Sequence, residues 1–408
     1  MVKYNCERCK REFSQKGHYE AHQRRKVPCK ASKKDLGQYF TIAPTLQKFI
    51  FDSVQYRGSL LLEPSFGAGH LLQLFKESDP NYPMVCYELD HSIQPVVSFN
   101  KHQVCIYGDF MAQPMNRHFK TIVGNPPYVK QSSGNLYLAF IAKCLDWLDE
   151  SGELLFIVPS EFLKQTSANA IVTRMATEGS FTHFYFPHDE SLFENASVDV
   201  VAFRYQKDLH TPTAIVNGVE RTYAVTNGIL TFTESGDALP RLGSLFDIYV
   251  GMVTGRDEIY KVPFGTIDMR TDKDRVERYL FPTSFPTDSQ EINEYLLQHK
   301  PALLARKIRS FTETNWFEWG APRNLKKIQT HWGKPCLYVR MLTRDTAVAF
   351  TGTVEYFGGT LLCLIPKASA DLKKICDALN QESFRTEYTY SGRFKIGHKQ
   401  LANAAIRF

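Results

Sequence analysis

Residues 60–72 read LLLEPSFGAGHLL. An apolar run, a turn with two glycines and a renewed apolar segment predict a strand, a tight turn and a helix. Gly67 and Gly69 remove side chains where the backbone must approach a ligand, and the helix start near His70 offers free amide groups to a carboxylate. The glycine spacing is not the GxGxxG of nicotinamide-binding turns, and by itself it also fits an ordinary βα turn.

The alternation of apolar runs and helical stretches continues from about residue 38 to about residue 207. The runs are SLLLEP, MVCYELD, QVCIYGDF, FKTIVGNPP, ELLFIVPS, THFYF and VDVVAFRY, and the helical stretches include HLLQLFKES and YLAFIAKCLDWLDE. This pattern predicts an α/β fold with a largely parallel sheet that is covered on both faces. Ligands of such sheets bind at the carboxyl ends of the strands, where the polar segments of this sequence fall.

The whole chain has 408 residues, 43% of them hydrophobic, which is enough for two or three globular domains. No apolar run approaches the roughly 20 residues that span a bilayer. The start lacks an apolar signal core, and nine cysteines without a disulfide pattern favour a reducing compartment. We therefore expect an intracellular protein that is not secreted: cytoplasmic, or nuclear or in a virus factory if a virus of a eukaryotic host encodes it.

Charge is distributed unevenly along the chain. Residues 1–34 hold eleven Lys/Arg and three Asp/Glu, residues 35–239 hold thirteen and twenty-two, and residues 240–408 hold twenty-five and eighteen. Two basic ends around an acidic middle suggest a polyanionic partner held by the ends, although solvated surface charge explains the counts equally well. The same boundaries divide the chain into three predicted domains.

The first domain, residues 1–34, contains four residues with the spacing of metal ligands. Cys6 and Cys9 form a C-x2-C pair, His22 follows Cys9 after twelve residues, and Cys29 follows His22 after six. The segment resembles a C2H2 zinc finger in which Cys29 replaces the last histidine, so that the ligand set is C2HC. Such a set gives tetrahedral structural Zn(II), and a module this short needs the metal in order to fold. His18 is a spare ligand with poorer spacing. The finger could bind DNA, RNA or protein.

Acidic residues at two further strand ends suit a nucleoside. Glu88 follows the strand MVCY and can accept both hydroxyls of a ribose, and we prefer it to Asp90 because it directly follows the apolar run. Asp109 can accept a hydrogen bond from an adenine amino group, and Phe110 can pack on the ring. Three successive strand ends of this kind indicate a nucleoside-containing cofactor.

Residues 125–128, Asn-Pro-Pro-Tyr, follow the apolar run FKTIVG. The exocyclic amine of adenine is a poor nucleophile because its lone pair is delocalised into the ring. The Asn125 side-chain oxygen and the Pro126 carbonyl can accept from its two N–H groups and so make the nitrogen more nucleophilic. Pro126 and Pro127 hold the backbone in one extended shape, and Tyr128 offers a face on which a purine stacks.

In this order the motifs resemble the TaqI-like, or gamma-type, DNA adenine-N6 methyltransferases. The resemblance covers roughly residues 37–207. It rests on GQYFTIAP, LLLEPSFGAG, YELD, YGDF, GNPPY and LFENASVDVVAFRYQK. It implies a Rossmann-like sheet that binds S-adenosylmethionine, with an antiparallel strand supplied by VDVVAFRY. It also implies an adenine flipped out of double-stranded DNA, because a stacked base cannot reach such a pocket.

The resemblance assigns further roles by position. Phe193 would stack on the face of the adenine opposite Tyr128. Thr41 would contact the cofactor near its carboxylate, and Glu63, where the family often has Asp, would hold the cofactor amino group. The full set of cofactor-binding residues is then Thr41, Glu63, Phe66, Gly67, Gly69, Glu88, Asp109 and Phe110.

The third domain, residues 240–408, is predicted to be α+β and to recognise the DNA target. Residues 304–340 interleave basic side chains with Trp316, Phe317, Trp319 and Trp332. Each aromatic taken singly is more typical of a core, but the stretch resembles the target-recognition domains of TaqI-like enzymes. RLGSLFDIYVGMVTGRDEIY, with Gly251 and Gly255, adds to this resemblance.

Two other functions remain open from the sequence. NPPY also serves RNA adenine and protein glutamine methylation, and a decayed fold could bind DNA without catalysis. The basic C-terminal domain and the intact NPPY, Glu88 and Asp109 favour a DNA-modifying enzyme. We expect a monomer that acts on double-stranded DNA, has no membrane partner and carries modification activity only, so that a cognate restriction endonuclease would be a separate partner.

Overall fold

The apolar run before the glycine turn becomes the central strand of a large sheet. The computed structural model describes residues 4–5, 12–13, 15–24, 41–115, 117–131, 134–187, 199–233, 239–390 and 392–408. The chain separates into two compact units, Met1–Gly236 and Asp237–Phe408. Each unit has hydrophobic cores of its own.

The N-terminal segment begins with a small hairpin and a helix. Strands β1 (Tyr4–Asn5) and β2 (Glu12–Phe13) pair antiparallel, and α1 (Lys16–Gln23) follows. His22 on α1 is buried, whereas Cys6, Cys9 and Cys29 lie outside the described residues. In the described part of the chain, no three His, Cys, Asp or Glu residues form a group that could hold a metal. The zinc site therefore stays a prediction.

The second predicted domain, residues 35–239, contains a ten-stranded mixed sheet that lies in the first unit. Its elements in chain order are α2 (Pro44–Ser53), β3 (Leu61–Glu63), α3 (Gln73–Ser78), β4 (Met84–Glu88), β5 (Gln103–Tyr107), β6 (Phe119–Gly124), the short pair β7 (Lys130–Gln131) and β8 (Gly134–Asn135), α4 (Leu136–Trp147), β9 (Leu148–Pro159), α5 (Asn169–Glu178), β10 (Gly179–Tyr185), β11 (Val200–Lys207), β12 (Thr213–Val216), β13 (Val219–Thr226) and β14 (Ile229–Thr233). Single 3-10 turns lie at His70–Leu72, Phe110–Ala112, Ser160–Leu163 and Thr166–Ala168.

The strand order is β14-β13-β12-β10-β11-β9-β6-β3-β4-β5. Strands β5, β4, β3, β6 and β9 are mutually parallel, and β11 runs antiparallel between β9 and β10. The prediction that VDVVAFRY supplies an antiparallel strand is confirmed. The carboxyl ends of the parallel strands consequently meet at one edge of the sheet.

Both faces of this sheet are covered, as the continuous apolar runs predicted. Leu62, Ile122 and Leu154 belong to one buried cluster, and their neighbours in sequence, among them Leu61 and Val123, belong to another. Successive side chains of a strand point to opposite faces, so two cores form against one sheet.

One helix ends earlier than its sequence suggested. The apolar pattern predicted a helix through residue 150, but α4 ends at Trp147 and β9 begins at Leu148. Ser151 has a positive φ of 51°, and the pairing of β6 with β9 shifts register between Phe119 and Thr121. Within β9, Leu148 pairs with Phe119 and Glu153 pairs with Thr121, so the residues between them have no partner on β6 and interrupt the regular pairing.

The second unit is an α+β arrangement around a four-stranded sheet of order β15-β21-β18-β20. Its elements are α6 (Leu242–Leu245), β15 (Phe246–Val250), α7 (Asp257–Tyr260), β16 (Ile267–Asp272), β17 (Arg275–Tyr279), α8 (Gln290–Leu304), α9 (Leu325–Thr330), β18 (Pro335–Arg340), β19 (Leu342–Thr343), β20 (Ala349–Thr353), β21 (Leu361–Pro366), α10 (Leu372–Asn380), α11 (Glu382–Thr386), β22 (Thr389–Tyr390), β23 (Arg393–Lys395) and α12 (His398–Asn403).

The aromatic residues of this unit divide into two kinds. Trp316, Phe317 and Trp319 are buried in one of its cores, whereas Trp332 is 53% exposed. None of the described helices of the chain is long and apolar enough to cross a membrane.

Candidate active site

The turn after β3 has backbone φ angles that favour glycine at two positions. Gly67 and Gly69 have positive φ angles of 57° and 82°. A Cβ at Gly69 would lie 2.8 Å from the Val97 side chain. The turn is attached to the next strand, because the Phe66 N–H donates to the Tyr87 carbonyl at 2.9 Å. The helix start predicted after it is a single 3-10 turn, His70–Leu72, followed by α3.

Glu88, at the end of β4, contacts the same turn with its side chain. Its carboxylate accepts from the Gly67 N–H at 2.8 Å and from the Asp90 N–H at 2.7 Å. The side chain is buried, and this burial raises the pKa of Glu88 although the backbone donors oppose the rise. A carboxylate with one donor on each oxygen still has lone pairs for further donors. Glu88 therefore organises the turn and remains able to accept hydroxyl groups.

Glu63, at the end of β3, is the most deeply buried carboxyl at this edge of the sheet, with 1% of its surface exposed. Oε1 accepts from the Ser65 N–H at 3.2 Å. Oε2 is buried and has no hydrogen-bond partner among the described residues. Burial raises the pKa of Glu63 well above its usual value, and the nearby Glu88 raises it further, against the Ser65 hydrogen bond. A buried acceptor without a donor is costly unless a ligand supplies one.

Asp109 and Phe110 follow β5. Asp109 Oδ1 accepts from the Met111 N–H at 2.9 Å and caps the 3-10 turn that begins at Phe110. The Phe110 ring is 2% exposed and packs against Tyr87, Phe140 and Trp147. These contacts make Phe110 a core residue, and its contact with an adenine ring stays a prediction.

The Asn-Pro-Pro-Tyr segment begins directly after β6, which lies beside β3. Asn125 Nδ2 donates to Thr41 Oγ1 at 3.0 Å. The Tyr128 hydroxyl lies 2.6 Å from Asn125 Oδ1 and 3.0 Å from the Ile157 carbonyl. The Asn125 amide is thus oriented by contacts at both ends, and Tyr128 does more than offer a ring face.

Thr41 precedes α2 and is 4% exposed. Its carbonyl accepts from Gln47 Nε2 at 2.8 Å, a contact between buried groups that fixes the start of the segment. The Thr41 hydroxyl accepts from the amide of Asn125, 84 residues away, and its predicted contact with the cofactor stays a prediction.

Residues 88–193, which begin at Glu88 and include Asp109 and the Asn-Pro-Pro-Tyr segment, match the family described as Eco57I restriction-modification methylase. This stretch resembles a restriction-modification methylase. The match covers about a quarter of the chain.

Curated relatives align with part of the chain. Type II methyltransferase M.HincII of Haemophilus influenzae is 26% identical over 200 residues, 43% of this chain and 38% of its own length. Modification methylase CviBIII of Paramecium bursaria Chlorella virus NC1A is 31% identical over 153 residues, which cover 33% of this chain and 41% of its own length. Type II methyltransferase M.TthHB8I of Thermus thermophilus is 27% identical over 209 residues, which cover 44% of this chain and 47% of its own length. The chain spans less than half the length of each of these relatives.

A solved structure extends the likeness at the level of fold. The Type IIL restriction-modification enzyme MmeI, solved in complex with DNA, superposes with a TM-score of 0.54 and 9% identity, covering 89% of this chain and 64% of that chain. Together with the strand order, this gives the first unit the mixed α/β fold of methyltransferases.

One residue predicted to bind the substrate lies outside the described residues, as do the three cysteines of the predicted zinc site. Phe193 falls in 188–198, which lie outside the described residues. The other predicted residues of the sheet edge are described, and they follow four adjacent strands, β5, β4, β3 and β6.

Two buried charges near the sheet were missed from sequence. Arg204 of β11 and Glu153 of β9 form an ion pair of 2.8 Å with side chains 1% and 0% exposed. Glu153 also accepts from the backbone N–H groups of Gln55 and Tyr56 at the end of α2. The sequence signal for this ion pair was one charged residue within each apolar run, in VAFRY and in GELLF. The pair ties the antiparallel strand and the α2 segment to the centre of the sheet.

Lys143 is a third missed residue. From α4, its Nζ donates to the carbonyls of Phe110, Met111 and Gln113 at 2.6–2.8 Å. Burial lowers the pKa of this lysine. It fixes the backbone just after Asp109, and the signal was the single lysine of a mostly apolar helix.

Proposed function

We propose that this chain transfers the methyl group of S-adenosylmethionine to N6 of an adenine in double-stranded DNA. The observation that supports this best is the position of Glu63 beside Asn125. A Cβ at Gly124, just before Asn125, would lie 3.1 Å from Glu63 Oε1. Ser65 Oγ, two residues after Glu63, donates to the Asn125 carbonyl at 3.4 Å. A cofactor held by Glu63 would therefore lie next to the acceptor for the substrate amine.

The buried carboxyl of Glu63 suits the ammonium group of S-adenosylmethionine. Oε2 lacks a donor within the described chain, and the raised pKa of Glu63 reflects burial without a neighbouring cation. An ammonium group supplies both the donor and the charge. Glu88 would accept the ribose hydroxyls, with the Gly67–Gly69 turn leaving room for close approach, and Asp109 would accept from the adenine amino group.

When bound, this cofactor supplies an electrophilic methyl group on a sulfonium. Asn125 Oδ1 and the Pro126 carbonyl would accept from the N–H groups of the substrate amine and localise its lone pair on nitrogen. Thr41 and Tyr128 hold the Asn125 amide in place for this role. Tyr128 and Phe193 would stack on the flipped adenine, so that contacts inside the pocket offset the cost of leaving the duplex.

The flanking parts would supply DNA affinity and the choice of site. The second unit is proposed as the target-recognition domain and the N-terminal segment as a zinc finger in which Cys6, Cys9, His22 and Cys29 hold structural Zn(II). The curated relatives are named as Type II or modification methyltransferases, which favours a role in modification. We propose a monomer, with any cognate restriction endonuclease as a separate chain.

Methyl transfer from labelled S-adenosylmethionine tests the substrate class. The purified chain is incubated with duplex DNA, structured RNA and glutamine-containing protein, and the product nucleosides or residues are separated after digestion. We expect label in N6-methyladenine from DNA. Label confined to RNA adenine or to glutamine would overturn the proposal, and so would S-adenosylmethionine binding without transfer to any substrate.

A further inference from the structure

The second unit carries a basic surface around α9 that the site described above does not use. Its cations, Arg323, Lys326, Lys327 and Lys334, are exposed, and none of them forms an ion pair with another of the described residues. From residue 319 to residue 344 the sequence contains no Asp or Glu. Together with Trp332 we call these residues the α9 surface.

Trp332 is unusual among the four tryptophans of the chain. The other three are 1–2% exposed, whereas Trp332 is 53% exposed. Its ring meets Tyr356 edge to face, with centroids 4.8 Å apart. A large exposed aromatic ring close in sequence to uncompensated cations is a combination that can pack on sugars or unstacked bases of a nucleic acid while the cations neutralise its phosphates.

The backbone that carries this surface is fixed. Ile328 is buried under α9, and Asn324, before the helix, donates from Nδ2 to the Val250 carbonyl at 3.0 Å. After Trp332, the Gly333 N–H donates to the Val354 carbonyl, and the Val354 N–H donates to the Lys334 carbonyl, each at 2.8 Å. The cations and the ring are therefore presented by a preformed structure, which lowers the entropy cost of binding.

We propose that the α9 surface binds duplex DNA, with its lysines and arginine on backbone phosphates and Trp332 against a base or sugar. The proposal rests on the proposed function for the identity of the nucleic acid. Its experimental test does not require turnover, so its failure can be distinguished from failure of methyl transfer.

The chain contains a matched control. Leu325–Ile328 and Leu372–Ile375 share the tetrapeptide LKKI, each at the start of a helix with the isoleucine buried. Lys373 and Lys374 are exposed like Lys326 and Lys327. The second copy lies between Asp371 and Asp377 and has no exposed tryptophan beside it. The two lysine pairs therefore share the same tetrapeptide and differ in the charged and aromatic residues around them.

The test compares DNA affinity of the full chain by fluorescence anisotropy at several salt concentrations. K326A/K327A is expected to weaken binding and to make the slope of log affinity against log salt shallower by about 0.9 for each phosphate that is no longer neutralised. K373A/K374A is expected to keep the wild-type affinity and slope. Equal effects of the two double variants would overturn the proposal, because general charge would then explain binding.

The contribution of Trp332 can be measured separately through its fluorescence. Only this tryptophan is accessible to acrylamide in the folded chain, so duplex DNA is expected to protect its fluorescence from quenching. W332A is expected to lower affinity without changing the salt slope, and W332F, which retains a ring over Tyr356, to recover part of it. Unchanged quenching in saturating DNA would contradict the proposal, as would protection by an acidic protein or an RNA duplex and not by DNA.

Discussion

Asn125 Nδ2 donates to Thr41 Oγ1 at 3.0 Å, across 84 residues of sequence. The Tyr128 hydroxyl lies on the other end of the same amide, 2.6 Å from Oδ1. An amide with both ends engaged cannot rotate freely, so the oxygen that would accept from the substrate amine is preorganised. Thr41 is thereby a positioning residue for Asn125.

Replacing Thr41 with valine tests this relationship. The variant keeps the shape of the side chain and removes the acceptor, so kcat for methyl transfer is expected to fall about fivefold, the cost of one neutral hydrogen bond of about 1 kcal/mol. Thr41→Ser should recover most of the rate. S-adenosylmethionine affinity, measured by calorimetry, should not change in either variant. A loss confined to cofactor affinity would instead assign Thr41 to the cofactor.

We predict that cofactor binding depends on pH through the ionisation of Glu63. Burial raises the pKa of Glu63 in the free protein, and a bound ammonium group would favour the carboxylate. Binding should therefore release a proton, and affinity should fall as pH decreases through the range between the usual and the raised pKa. Calorimetry in buffers of different ionisation enthalpy measures the proton release.

Glu63→Gln supplies the control for this prediction. The variant should bind S-adenosylmethionine more weakly and without the pH dependence. It should be at least as stable to heat as the wild type, because glutamine is neutral like the protonated Glu63 of the free protein and has no carboxyl group whose ionisation is opposed by burial. A strongly destabilised variant would indicate that Glu63 maintains the fold and not the cofactor site.

Arg204 is expected to matter for stability. Arg204→Met leaves Glu153 as a buried charge without its cation and should lower the free energy of unfolding by about 3–5 kcal/mol. Lys48→Met, in the exposed pair with Asp52, is the control and should change little. Urea denaturation of both variants measures the difference. Similar small effects would mean that the buried pair does not hold β9, β11 and the α2 segment together.

The N-terminal segment is expected to aid affinity and not to select the site. Deleting residues 1–34 should remove bound zinc, weaken DNA binding and make its salt dependence shallower, because the deletion removes eleven Lys/Arg. Sequencing of methylated DNA should find the same target sequence. A shorter or different target in the truncated enzyme would show that the finger reads bases.

Local sequence patterns were enough to predict the parallel strands of the sheet and the edge at their carboxyl ends, but not β12, β13 and β14, which extend the same sheet. Continuous apolar runs gave the parallel strands, and the residues that follow them, from Glu63 to Asn125, lie at the carboxyl ends of adjacent strands as expected. VDVVAFRY became the antiparallel strand β11. These features follow from strand periodicity and from the rule that parallel strands end at one edge.

Contacts between distant segments could not be predicted in this way. The hydrogen bond from Asn125 to Thr41 and the ion pair of Arg204 with Glu153 depend on which segments the fold brings together. Phe110 looked available for a ligand because it follows a strand, yet neighbouring helix side chains bury its ring. Trp332 and Trp319 have similar sequence surroundings and opposite exposure.

The proposed mechanism requires Asn125 to activate an adenine amine for methyl transfer. It is tested by the amount of N6-methyladenine formed in duplex DNA by the wild type and by Asn125→Ala under single-turnover conditions. The variant is expected to bind S-adenosylmethionine normally and to form product about 10²–10³ times more slowly. Near-normal formation of N6-methyladenine by Asn125→Ala would rule out this role for Asn125.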